Sequence, residues 1–197
     1  DFQPNRLEAA KNVARDFIKG RVQDRIGMVV FSGDAFSLAP LTTDYALLNS
    51  YLNEMSFDMI ESRGTAIGSA LAVVTNRMRE SESKSKVCIL LSDGDNTAGN
   101  IDPITSAELA AAYNIKIYTI IVGKEGLVPY GKDFFGRPNM VENTVDERTM
   151  RKIAYIGSCQ FFRVTDERAL LEVFRKIYQL EKAEIKQYRA GLSLLIR

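Results

Sequence analysis

Lys86-Val-Cys-Ile-Leu-Leu-Ser-Asp-Gly-Asp-Asn-Thr-Ala-Gly99 decides how this chain folds. Val87 to Leu91 is apolar without alternation, which predicts a strand buried on both faces, as in a parallel sheet. At its carboxyl end the chain breaks into Ser92, Asp93, Gly94, Asp95, Asn96 and Thr97. Open α/β sheets collect ligands just beyond the carboxyl ends of their strands. The two carboxylates and two hydroxyls here are hard oxygen donors of the kind that hold Mg²⁺ or Ca²⁺.

Working outward, helices and strands alternate. Leu7, Ala10, Ala14, Phe17 and Ile18 mark one helical face, with Gly20 as a stop. Ile26 to Phe31 is a second apolar strand. Ala35 to Ala39 alternates as an antiparallel edge strand that Pro40 closes. Thr42, Thr43 or Asp44 caps a helix with Leu47, Leu48, Tyr51, Leu52 and Met55 inside. Glu61 to Gly68 is a polar loop entering a helix striped by Ile67, Ala70, Leu71, Val74 and Met78. Asp102-Pro103 opens a helix through Ala112. Ile115 to Val122 is a strand, Asp146 caps a helix, and Gln160 to Arg163 is the last strand. Asp166 caps a long final helix with a charged exit. Residues 124–145, with Pro129, Gly131, Gly136 and Pro138, interrupt this order, and a small hairpin is expected there. Alternating strands and helices predict a three-layer α/β/α domain, Rossmann-like, with a mostly parallel sheet and one antiparallel edge strand.

Composition narrows the function. The chain has 197 residues, 46% of them hydrophobic, enough for one well-filled core. A net charge of +1 gives no nucleic-acid footprint. Histidine is absent, which excludes an imidazole base. Cys88 and Cys159 lie in or beside apolar runs and are expected to be buried thiols. No apolar run reaches membrane-spanning length, so the chain is expected to be soluble as given and cut from something larger.

Gly64-Thr65 opening a helix, followed by an apolar strand ending Leu91-Ser92-Asp93-Gly94, resembles the von Willebrand factor A domain. Arg25 to Phe31 is similar to that family's second strand. Asn5 to Lys11 and the interruption near Pro129 are most similar to the BatA-type bacterial aerotolerance proteins. The resemblance covers residues 1 to about 180, and the domain is expected over 1–190, with an insertion at 124–145 and a tail at 191–197. It implies a metal-ion-dependent adhesion site in which Thr65 and Asp93 are ligands. Ser92, Gly94, Asp95 and Gly64 are binding-face candidates. So are Tyr130, Phe134 and Phe135, unless these aromatics form the insertion's own core.

The family's Asp-x-Ser-x-Ser motif does not precede the first helix here. The resemblance therefore implies that the native first central strand is missing and would lie between the strands at Ile26 and Val87. Mg²⁺, or Ca²⁺ or Mn²⁺, is expected in the native full-length protein and weakly or not at all in this chain. Leu192 to Ile196 is expected to be either a replacement strand, in the same chain or swapped between copies, or a disordered or tag-derived tail. The implied function is non-enzymatic: binding a protein partner that presents an acidic side chain, other Bat-type proteins among them, within a membrane-anchored bacterial protein. A rival reading takes Asp93-Gly-Asp95-Asn-Thr97 as the nucleophile loop of a Mg²⁺-dependent haloacid-dehalogenase-type phosphatase, with Asp93 attacking and Asp95 as acid and base.

Overall fold

The computed structural model describes residues 5–93, 95–123, 126–132, 138–143 and 147–194. Its elements follow the expected order: α1 (Arg6–Ile18), β1 (Ile26–Phe31), β2 (Ala35–Thr42), α2 (Tyr45–Glu54), α3 (Ile67–Met78), β3 (Lys86–Ser92), α4 (Pro103–Ala112), β4 (Ile115–Val122), β5 (Gly126–Lys132), β6 (Pro138–Asn143), α5 (Glu147–Ile156), β7 (Phe161–Val164) and α6 (Glu167–Leu194). Short polar side chains start the helices. Asn5, Asp44, Asp102 and Asp166 accept the backbone N–H of Glu8, Leu47, Thr105 and Ala169 at 2.7–2.9 Å. Each bond satisfies a donor that the helix itself leaves unpaired.

Strands β3, β4 and β7 form a parallel sheet in the order β3-β4-β7. Alternation along β4 divides the core between its faces. Ile115, Ile117 and Ile121 join Ile67 and Leu71 of α3, Ala107 and Ala110 of α4, and Met150 and Ile153 of α5. Tyr118, Ile120 and Val122 join Ala9 and Val13 of α1 and Leu170, Phe174 and Ile177 of α6. The result is three layers. At the amino end of the strands, Glu181 of α6 accepts from Lys116 at 2.9 Å and from the Tyr118 hydroxyl at 2.8 Å, and Glu184 also takes the Lys116 ammonium. Burial pushes the Cys88 thiol up to about 12, with Cys159 adding to the shift. Both cysteines are free, Cys88 buried and Cys159 half-buried.

The antiparallel pair β1-β2 forms a separate two-stranded sheet. Helix α3 packs against both of its strands, and Phe31 reaches the core on the α3 side. Among the described residues β1 pairs only with β2, and β3 only with β4. No pairing joins β1 to β3 among the described residues. The hairpin expected in 124–145 is present as antiparallel β5-β6.

Several expectations need correction. Strand β3 is not buried on both faces: Cys88, Leu90 and Ser92 are buried, whereas Val87, Ile89 and Leu91 are half-buried. Pro40 does not close β2, which runs on to Thr42. The register shifts between Met28 and Ile26, opposite this point, and an edge position at a bulge needs no N–H from proline. Leu47 is exposed rather than inside, because Leu48 and Leu52 already cover the α1–β2 contact. Leu192 to Leu194 are helical, continuing α6 through the charged exit, so they add no strand to the sheet of their own chain. Residues 195 and 196 of that run, and Asp146, lie outside the described residues.

Candidate functional site

Three loops meet at the carboxyl ends of β1 and β3. Ala66 N–H donates to Ser32 O at 2.6 Å, and Gly33 N–H donates to Ser62 O at 2.9 Å. The Ser32 hydroxyl donates to Gly64 O at 3.2 Å. These bonds fix the chain entering α3 against the turn after β1.

The loop after β3 is stitched to the same segment more closely. Thr65 N–H donates to Thr97 Oγ1 at 3.0 Å. In return, the N–H groups of Thr97 and Ala98 donate to Thr65 O at 3.0 and 3.2 Å. The Ile67 N–H, at the start of α3, donates to Asn96 Oδ1 at 2.9 Å. A side chain from another loop thus does what an N-cap does locally. Thr65 is not the cap of α3: that position is Ala66, which makes no side-chain cap bond. Gly64 is required here on two counts. Its φ is +114°, and a Cβ would sit 2.7 Å from the Ala98 Cβ.

Asp93 projects from the end of β3 with its side chain 60% exposed. Its Oδ2 accepts from Arg6 Nη1 at 3.0 Å. Arg6 is the first residue of α1, and its guanidinium lies over the end of β4, where a Cβ on Gly123 would come within 3.4 Å of Nη2. Ser92 is buried at the strand end, and Asp95 is exposed. Gly94, Phe134 and Phe135 lie outside the described residues. Tyr130 is on β5, and only its backbone is described.

The structure thus ties Gly64 and Thr65 to the Asn96–Ala98 loop, and Asp93 to Arg6. Arg6, Asn96 and Thr97 are the contributions that sequence reasoning undervalued. Asn96 reads locally as a turn residue. Arg6 is 87 residues from its partner, and no local pattern reports such a contact.

The hydroxyl of Thr65 and the carboxylate of Asp93 are of the right type for a hard divalent cation, which takes oxygen ligands and keeps waters. By donor type, both suit part of such a shell. Among the described residues no three of His, Cys, Asp or Glu gather around one point, so further oxygens would come from water or from elsewhere.

The family model of the von Willebrand factor type A domain matches residues 1–176. An uncharacterised protein of Borreliella burgdorferi is 34% identical over 119 residues, covering 60% of this chain and 35% of its own. A UPF0353 protein of Mycolicibacterium paratuberculosis is 31% identical, covering 88% of this chain and 53% of its own. The chain thus spans about half or less of the length of these relatives. Among solved structures, the conserved hypothetical protein BatB of Bacteroides thetaiotaomicron superposes with a TM-score of 0.76 at 28% identity, covering 91% of this chain and 90% of that one. An aerotolerance-related membrane protein of Bacteroides fragilis gives 0.72 at 26% identity, covering 88% of each chain. The fold alone is shared with proximal thread matrix protein 1 of the mussel byssus, solved with a zinc-occupied MIDAS motif (TM-score 0.65, 16% identity, covering 87% of this chain and 41% of that one).

Proposed function

The chain belongs to the von Willebrand factor type A family, and on that premise we propose that it is a non-enzymatic interaction domain of a membrane-anchored, Bat-type bacterial aerotolerance protein. Its contact face is the carboxyl edge of the sheet, where Thr65 and Asp93 meet the loops around them. The observation that carries this reading is the lacing of Gly64–Ile67 to Asn96–Ala98, which holds two oxygen-bearing loops in one fixed arrangement. A preorganised polar face at a strand end suits recognition, because little ordering remains to be done on binding.

Thr65 and Asp93 would hold a divalent cation, Mg²⁺ or else Ca²⁺ or Mn²⁺, with the remaining ligands from water or other oxygen donors. Such an ion supplies positive charge that attracts a partner's carboxylate. Ser92, Asp95 and Gly64 frame the proposed contact, with the β5-β6 hairpin, whose strand β5 carries Tyr130, as a candidate flank. The partner is a protein with an acidic side chain, another Bat-type protein being the first choice. Among the described residues no helix is long and apolar enough to cross a membrane, so the proposed anchor lies outside them.

The test is co-purification of co-produced Bat-type proteins with the full-length protein. Thr65→Ala and Asp93→Asn should each reduce recovery about tenfold or more, and EDTA should do the same. Retention of the partner by both variants would refute the proposed face. The phosphatase alternative would use Asp93 as nucleophile and Asp95 as acid and base. Mg²⁺-dependent phosphatase turnover lost in Asp93→Asn would establish it instead.

A further inference from the structure

We propose that Arg6 is the built-in counter-ion of Asp93 and sets how readily this end of the sheet accepts a divalent cation. The inference rests on Thr65 and Asp93 being cation ligands.

Arg6 Nη1 lies 3.0 Å from Asp93 Oδ2, so a permanent positive charge already occupies one side of the carboxylate. Its placement runs against the helix field. A cation in the first turn of a helix faces the positive end of the macrodipole. Arg6 is the first residue of α1, and Asp93 offsets that cost. The guanidinium packs over Gly123 at the end of β4, where a Cβ would come into ordinary contact at 3.4 Å from Nη2.

The backbone beneath Arg6 is held independently of Asp93. Asn5 caps α1, and Lys11, with its side chain only 6% exposed, bonds Met55 O at 3.0 Å and Glu8 at 2.7 Å. Only the Arg6 side chain needs to move for the carboxylate to change partners. The pair is also weak enough to exchange, since its side chains are 40% and 60% exposed and solvent screens them. Arg6 therefore tunes cation affinity rather than abolishing it.

The experiment is a Mg²⁺ titration of the full-length protein followed by the Asp93 carboxyl carbon and the Thr65 amide in NMR spectra. Arg6→Gln should lower the Mg²⁺ midpoint about fivefold, the scale of removing a unit positive charge about 8 Å from a divalent ion in water. Arg6→Lys, which keeps the charge, should stay near the parent. Asp93→Asn added to Arg6→Gln should erase the Thr65 response. Equal midpoints in parent and Arg6→Gln, including no response in either, would overturn the inference. The co-purification test separates this from the functional reading. If the midpoints coincide while Thr65→Ala still loses the partner, only the role of Arg6 falls. If they separate while the partner ignores Thr65 and Asp93, only the proposed face falls.

Discussion

Strands β3 and β4 lie side by side and are written alike, as apolar runs, yet their surroundings differ. Strand β4 is buried at every residue except Lys116. Strand β3 buries one face, and Val87, Ile89 and Leu91 on the other are half-buried. The cause is the number of neighbours. Strand β4 is paired on both sides, by β3 and β7, whereas β3 is paired with β4 alone among the described residues. An apolar run reports that a strand can be buried on both faces; its flanking strands decide how much of it is. The open strand is also the one that leads into Asp93.

The largest expected effect follows directly. Ile117→Ala or Ile120→Ala on β4, both fully buried, should cost about 3–4 kcal/mol in urea unfolding, while Ile89→Ala on β3 should cost about half as much. Equal losses would break the comparison. Next comes Gly157→Ala, whose Cβ would lie 2.6 Å from the backbone nitrogen of Ile117. Pressing on β4 in this way should cost about 1–3 kcal/mol. Hydrogen exchange sharpens the contrast further. The β4 amides should exchange only by near-global opening, and the β3 amides that point away from β4 should exchange much faster. Uniform protection of both strands would show that the open edge of β3 is covered.

The smallest effect is on pH. Burial alone would raise the Glu147 carboxyl, but hydrogen bonds from Arg151 and Arg163 outweigh it and hold it below its ordinary value. A carboxylate lowered on folding contributes stability above its unfolded value, near 4.3, and loses it as pH falls through the folded value. Unfolding midpoints measured from pH 5 down to pH 3 should therefore fall less steeply in Glu147→Gln than in the parent. Parallel curves would remove this link between α5 and β7.

Much of the fold was legible because its signals are local. Asp102-Pro103, the unbroken run Ile115 to Val122 and the stripe of α3 each identify an element by its own residues. Pro40 misled because a proline stop is only a rule for paired positions, and the bulge near Met28 was not visible. The candidate site was half legible. Gly64, Thr65 and Asp93 sit in a motif, so their sequence context carries them. Arg6 and Asn96 act across loops distant in sequence, and only the assembled layers bring them there.

The most direct test of the proposed contact face is photocrosslinking from defined positions in the full-length protein. A photoreactive residue at exposed Arg63, beside Gly64, should capture the partner, and Asp93→Asn should sharply reduce the adduct. The same residue at Tyr155, 84% exposed near the carboxyl end of α5, should capture nothing. Capture from Tyr155 alone, or an Arg63 adduct indifferent to Asp93→Asn, would contradict the account.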